Sequence, residues 1–393
     1  MGGKKVYLDN SAATRLDERV LEAMRPVYFE NYAVATSEFA YTQGIEARET
    51  LDSARGVIGG YLGAAGDEII FTSGSTESSN LALLGAVKAS RKKSGHIIVS
   101  AIEDFPVLNS AKALEKQGYK VTYLPVDKEG FVGADDLKRA ITDDTIIVSI
   151  QHANQEIGTI QEIKTLAEIT KEKAALFHTD ATHTFRRVRL DVSEVPADLI
   201  TMSGHTIHGP RGAGALYVRK KTPLKKILHG GFQEFDLRPG VEDIASAVGF
   251  AAAASLVTDG ETAGLASLRD ALTEKVFREI PEVTLNGPKD RRLPQNANIT
   301  FHYVEGETVT LHLDMHGIAV STGSACFSKS LEGSHVIMGI GGNHERAHGS
   351  IRFTFGRFNS ADEIDYLVPV LKKIVEQLRK LSPIAADKFK GKG

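Results

Sequence analysis

Seven short apolar runs, separated by stretches with helical spacing, narrow the folds open to this chain more than any other feature. They are Glu68–Phe71, His96–Ser100, Lys120–Leu124, Thr145–Ile150, Ala175–Thr179, Asp198–Met202 and Ala213–Val218. Most are near-continuous in apolar and β-branched residues rather than alternating, the pattern of strands covered on both faces. Amphipathic stretches such as Pro106–Gln117 and Glu162–Lys173 lie between several of them. Strands alternating with helices predict a large α/β domain built on a mostly parallel sheet of seven-stranded type with helices on both sides.

The pattern changes after a helix of small residues around Val248–Val257. A long helix follows, then strand candidates at Asn298–Phe301 and Ser350–Thr354. A final helix carries Ile364, Leu367, Val368, Leu371, Ile374, Val375 and Leu378 on one face, opened by Ser360 with Glu363 in capping-box spacing. This reads as a smaller α+β domain. The expected division is 16–257 for the large domain, 1–15 with 258–384 for the small one, and a flexible Lys/Gly-rich tail over 385–393.

Composition removes several classes of function. The 47 basic and 50 acidic residues leave a net charge of -3, which gives no electrostatic case for nucleic acid or an anionic membrane as partner. No apolar stretch reaches the roughly 18–20 residues of a membrane span, and the start Met-Gly-Gly-Lys-Lys lacks a signal-peptide core, so the expected location is the cytoplasm. The single cysteine, Cys326, has no intrachain partner for a disulfide. It is either a small buried hydrophobe or a reactive thiol. Its Gly/Ser surroundings, Ser321-Thr322-Gly323-Ser324-Ala325-Cys326, favour the thiol.

Three further segments carry chemistry. Phe71 to Asn80 runs from a strand through Ser73-Gly74-Ser75-Thr76 into a helix, where free backbone N–H groups and the Ser75 and Thr76 hydroxyls suit a phosphate. The same residues also serve as ordinary helix caps. Asp180 lies just beyond a buried strand, where an open α/β sheet has its ligand crevice, and a carboxylate there can pair with a protonated pyridine nitrogen. Ser203-Gly204-His205-Thr206 follows the next strand.

In this order and spacing, together with Tyr7–Thr14, Asn154-Gln155-Glu156-Ile157-Gly158 and Ser350-Ile351-Arg352-Phe353, these segments resemble the NifS/IscS cysteine desulfurases of the class V aminotransferase group. The resemblance covers almost the whole chain. It implies the fold-type I architecture of pyridoxal phosphate (PLP) enzymes, a homodimer with sites at the subunit boundary, and a cysteine substrate. It also implies an IscU-like scaffold that receives sulfur from a persulfide. Carried over by position, Ser75, Thr76, Ser203 and His205 match the phosphate group. Asp180 matches the pyridine partner, Arg352 the arginine that holds the substrate carboxylate, and Cys326 the persulfide carrier.

The departures from that family surround the cofactor position. Thr206 stands where the family has its Schiff-base lysine, and a hydroxyl cannot form an imine. Asp104 replaces the histidine that stacks on the ring, Gln155 a pocket asparagine and His183 a pocket glutamine. Val241 replaces a threonine that reaches the phosphate from the other subunit, and Tyr32–Thr36 replaces a Gly-Asn-Pro-Ser-Ser stretch. Each lost contact removes about 1 kcal/mol or more of affinity. PLP is therefore expected to be absent or held only non-covalently.

Two readings stay open. One is a non-PLP partner in iron–sulfur cluster assembly, with Cys326 carrying sulfur or ligating a cluster shared with the scaffold and with sulfide able to supply the sulfur. The other is an active cysteine desulfurase holding PLP non-covalently, with His183, His205 or His208 moving protons. The motif His344-Glu345-Arg346-Ala347-His348 has the spacing of a zinc site, but Gly341, Gly342 and Gly349 leave room for only a short turn, so no zinc is expected.

Overall fold

The computed structural model describes residues 4–92, 94–323 and 333–381. Strand β1 (Val6–Tyr7) opens the chain, and the large sheet is formed by β2 (Ile69–Thr72), β3 (His96–Ser100), β4 (Lys120–Leu124), β5 (Thr145–Ser149), β6 (Leu176–Asp180), β7 (Leu199–Ser203) and β8 (Gly214–Val218). Their order is β2-β8-β7-β6-β5-β3-β4. From β7 to β4 every neighbour is parallel, whereas β8 is antiparallel to both β7 and β2. All seven expected runs are strands, with limits moved by a residue or two; Glu68, for example, closes a short 3-10 turn instead of opening β2.

Burial explains the composition of these strands. Every residue of β3, β5 and β7 is buried, as helices on both faces require, while the edge strand β4 begins at exposed Lys120. Helix Ile163–Glu172 buries Ile163, Leu166, Ala167, Ile169 and Thr170, one stripe at helical spacing. Helix Ile244–Leu256 is nearly all small and apolar because it is sandwiched, packing against helices Glu18–Phe29 and Thr42–Gly60.

A second apolar core gathers Leu265, Leu272, Ile299, Phe301, Ile351, Phe353, Leu367 and Leu371, and takes in Val6 and Leu8 from the start of the chain. Its sheet comprises β9 (Val283–Leu285), β10 (Asn296–Phe301), β12 (Ser321–Thr322) and β13 (Ser350–Thr354) in the antiparallel order β12-β13-β10-β9. Strand β11 (Ile318–Ala319) pairs in parallel with β1, and Asp9 bridges Thr354. The closing helix Ala361–Leu381 buries Ile364, Leu367, Val368, Leu371, Ile374 and Val375. The Ser360 N–H donates to the Glu363 carboxylate at 3.2 Å, closing the capping motif from that side.

The His344–His348 segment is one helical turn with its two imidazoles stacked 6.2 Å apart. Glu345 turns away from them and accepts from the Tyr303 N–H at 3.1 Å. Among the described residues no group of three or more His, Cys, Asp or Glu side chains is placed to hold a metal ion. Likewise no described helix is long and apolar enough to cross a membrane.

Candidate functional site

The C-terminal ends of the parallel strands converge on one crevice. Asp180 and Ser203 are the last residues of β6 and β7; Glu103 and Asp104 follow β3, and Asn154–Glu156 follow β5. Thr72 and Ser203 both pair with Gly214, so the Ser73–Thr76 and Ser203–His205 turns flank the start of β8. Two glycines permit this packing. Gly74 has φ +144°, a conformation open to glycine, and a Cβ on Gly214 would lie 2.4 Å from the Gly74 Cα. Ser75 and Thr76 then begin helix Ser75–Ala89, with their N–H groups at its positive end.

Asp180 is 7% exposed. Burial, aided by the nearby charge of Asp104, pushes its carboxyl up to about 6, against hydrogen bonds from Thr182 and Ser79 that favour the anion. Asp104 caps helix Phe105–Lys116, accepting from the Phe105 N–H at 2.8 Å, and burial raises its pKa too. Position 104 is therefore a carboxyl tied to a helix end. The signal was present in the sequence, since Asp104-Phe105-Pro106 is an N-cap residue followed by a first-turn proline.

The Thr206 side chain is closed off from the crevice. It is fully buried, and its hydroxyl donates to the Thr182 carbonyl at 2.7 Å, with the Ser203 carbonyl at 3.3 Å. From the other side, buried Arg187 donates to the Thr206 carbonyl at 2.7 Å. The neighbouring imidazoles are kept neutral. Burial lowers the pKa of both His205 and His183, and each has a buried Nδ1 without a partner. The Ser203 hydroxyl has only a long contact of 3.4 Å, to the Ala213 carbonyl.

Arg352 enters from β13 in the second core. Its Nη2 donates to Asp9 Oδ1 at 2.8 Å, and its Nε is buried without a partner, which leaves a donor for an incoming carboxylate or other anion. Gln155 lies on the same rim, half-buried, with its carbonyl accepting from Asn296 Nδ2 at 3.0 Å. Val241 is elsewhere: it is 68% exposed, on a loop joined to the Ser75 helix by the Arg238–Glu77 ion pair at 3.0 Å. Earlier in that loop, Glu234, Phe235 and Asp236 all take positive φ, held by a buried Glu234–Arg55 pair with contacts of 2.5 and 2.6 Å.

Cys326 lies outside the described residues, but the residues flanking its segment meet at one carboxyl. Ser334 Oγ donates to Glu156 Oε1 at 2.5 Å, and a Cβ on Gly323 would fall 2.0 Å from that same oxygen. Burial raises the pKa of Glu156. Glu103 is wholly buried, with its pKa raised well above the usual range by burial, and both its oxygens accept from the Gln151 N–H at 2.9 and 3.1 Å. Neither glutamate stood out in the sequence, because a carboxylate beside a motif looks like any solvated one until its burial is known.

Comparison with known proteins agrees with this geometry. Residues 6–367 match the aminotransferase class-V family. The chain is 47% identical to the cysteine desulfurase IscS of Dictyoglomus turgidum, over 97% of each chain. It is 46% identical to cysteine desulfurase IscS 1 of Archaeoglobus fulgidus, covering 96% of this chain and 99% of that one. Among solved structures, a NifS-like protein superposes with a TM-score of 0.87 at 35% identity, covering 95% of this chain and 99% of its own. The fold is thus that of the NifS-like PLP proteins, and the chain belongs to the class V aminotransferase family, in its IscS/NifS cysteine desulfurase branch.

Proposed function

We propose that this protein serves iron–sulfur cluster assembly as a desulfurase-like partner that no longer uses lysine-bound PLP. The observation that carries the reading is Thr206, whose hydroxyl is bonded to the Thr182 carbonyl. The other residues divide when weighed against PLP. Asp180 and the Ser75, Thr76, Ser203 and His205 groups suit a ring nitrogen and a phosphate. Asp104 puts a carboxyl where the family has an aromatic ring, and no amine occupies the 206 position. The covalent mode of the family does not fit, so no step is derived through that cofactor.

What remains is a crevice that can bind an anion at Arg352 and hold or release a proton at Asp180. Beside it, Cys326 acts as persulfide carrier or cluster ligand for an IscU-like scaffold. With sulfide as the sulfur source, ligation of iron by the thiolate needs no oxidation, whereas a persulfide formed from sulfide needs a two-electron acceptor. The assembly is a homodimer in the cytoplasm. Aromatic side chains on the first helices and the turn between them support that dimer: Phe29, Tyr32 and Phe39 are 72%, 76% and 95% exposed in the single chain.

Retained Asp180 and the unpartnered His205 Nδ1 favour a second reading, a desulfurase that holds PLP without a covalent bond. Loss of the lysine acid/base lowers such turnover by about 10²–10⁴-fold. The visible spectrum separates the two, recorded as purified and after anaerobic addition of PLP with cysteine. A cofactor band that survives desalting, with sulfide release, establishes the desulfurase. No band and no cysteine-dependent sulfide is the expected result, and Cys326→Ala should then impair cluster assembly. A Cys326→Ala protein that assembles clusters as well as the parent would overturn the proposed role.

A further inference from the structure

The second core is joined to the body of the large sheet at two places that bear on Arg352. At one, Asn296 Nδ2 donates to the Gln155 and Glu156 carbonyls at 3.0 and 3.1 Å, and the Leu293 N–H donates to the Gly158 carbonyl at 2.8 Å. At the other, the Arg357 N–H donates to His208 Nε2 at 2.9 Å. Arg352 pairs with Asn298, two residues from the first joint, and precedes Arg357 by five. His208 lies two residues past Thr206. The first joint is made of amides and carbonyls, whereas the second hangs on the lone pair of an imidazole.

Hydrogen bonding fixes where that lone pair is. His208 Nδ1 is 2.9 Å from the Arg15 carbonyl, which can only accept, so Nδ1 carries the ring proton and Nε2 is bare. The backbone of His208 takes φ +66°, uncommon for a residue other than glycine. It is held there by its N–H, which donates to Thr14 Oγ1 at 2.9 Å, and by its carbonyl, which accepts from the Asp17 N–H at 3.1 Å. The ring is also tightly enclosed: a Cβ on Gly356 would lie 2.9 Å from its Cε1, and the Phe358 ring stands edge-on at 5.1 Å. The Arg357 guanidinium spans the same joint, donating to Asp17 Oδ2 and Glu261 Oε2, each at 2.7 Å.

We propose that His208 is a positioning residue, a neutral ring that clasps the Arg357 turn to the Thr206 turn and so sets where the Arg352 guanidinium stands in the crevice. A proton added at Nε2 would set two N–H donors against each other and open the clasp. The groups around the ring are Arg15 and Asp17 from the opening segment, Arg187 from the turns after β6, and Arg357. The Arg15 guanidinium is turned onto the Phe358 ring, 4.9 Å away, and the Asp17 carboxylate is taken up by Arg357 and Arg19. Burial, with the charges of Arg187 and Arg357, brings the His208 pKa down to about 4 against the Arg15 carbonyl and Asp17, so the clasp stays closed at neutral pH. Its consequence for ligands rests on the reading of Arg352 as the anion donor of the crevice, but the clasp itself does not.

The test uses the ligand-free full chain labelled with 15N-histidine and 15N-arginine. Long-range 1H–15N spectra should show His208 with Nδ1 protonated and Nε2 bare from about pH 8 to about pH 5.5. His208→Leu, which has neither donor nor acceptor, assigns those signals. It should speed hydrogen exchange at the Arg357 amide about tenfold or more and shift the Arg352 Nε–H signal. His208→Gln supplies one N–H and one acceptor oxygen and should bring both readouts back toward the parent. A wild-type ring with its proton on Nε2, or one charged at about pH 6 in the folded protein, would overturn the proposal even if His208→Leu does not fold. So would a His208→Leu protein with unchanged exchange and an unmoved Arg352 signal, or a His208→Gln protein as disturbed as His208→Leu. Added formate that leaves the wild-type Arg352 Nε–H signal unmoved would refute the anion role of Arg352 instead, with the clasp still decided by the ring and the amide.

Discussion

Replacing Thr206 by valine keeps the shape of the side chain and removes only its hydroxyl. In the native structure that hydroxyl donates to the Thr182 carbonyl at 2.7 Å, in a place where Thr206 is fully buried and Thr182 nearly so. A net hydrogen bond contributes about 1 kcal/mol, and a buried carbonyl left without its donor costs about 1–3 kcal/mol. The methyl that replaces the hydroxyl returns about 0.8 kcal/mol of burial. The balance is a loss of about 1–2 kcal/mol. Urea unfolding followed by circular dichroism measures it as a lower midpoint at unchanged slope. A Thr206→Val protein as stable as the parent would refute the idea that this hydroxyl is a fixed part of the fold. Thr206→Lys removes the same bond and adds an amine beside buried Arg187, so it should be destabilised at least as much. Full recovery of cysteine-dependent sulfide release by that single change would contradict the proposed loss of PLP chemistry.

Glu234→Ala should destabilise the protein by about 3–5 kcal/mol, because it strands the buried Arg55 guanidinium and frees the strained turn that leads to Arg238; a loss below about 1 kcal/mol in urea unfolding would show that the pair is dispensable. Acid should lower stability below the usual histidine pKa. His152, His178 and His208, with pKa values near 4, 3 and 4, are neutral when folded, whereas the unfolded chain takes up their protons from about 6.5 downward, so their stabilisation is lost as pH falls through that window. Asp180, raised to about 6, and Glu103, Asp104 and Glu156, all raised by burial, act in the opposite sense, favouring the fold as pH falls toward the ordinary carboxylate range. With His96, His183, His205 and His335 also lowered, the histidines are the more numerous group. Thermal melts should therefore show a falling Tm from neutral pH to about 4.5; a rising Tm over that range would mean the carboxyl cluster outweighs them.

The strands were legible because their surroundings are simple. A strand covered on both faces, such as β3 with five buried residues, has no polar position to alternate, and so reads as a run. Direction was not legible: nothing in Gly214–Val218 marks β8 as the one strand running against its neighbours. Asp180, Ser203 and Arg352 could be singled out as candidates because motif spacing reports chain position, and the structure puts Asp180 and Ser203 at strand ends and Arg352 on β13. The bond from Thr206 to Thr182 spans 24 residues, and the meeting of Gly323, Ser334 and Glu156 spans more than 160. Such contacts exist only after the fold has formed, and no local pattern encodes them. Asp104 is the intermediate case, since its cap is local and its burial is not.

The pairing of β1 with β11, and of Asp9 with Thr354, also bears on how the protein is made. Every strand of the large sheet lies between Ile69 and Val218, so that body can close while the rest of the chain is still being synthesised. The second core cannot. Val6 and Leu8 leave the ribosome more than 300 residues ahead of the Ile318, Phe353 and Leu371 side chains that share their core. The opening segment must wait as a loose apolar end, and the Asp9–Arg352 contact that shapes one side of the crevice becomes available only when the final sheet strand arrives.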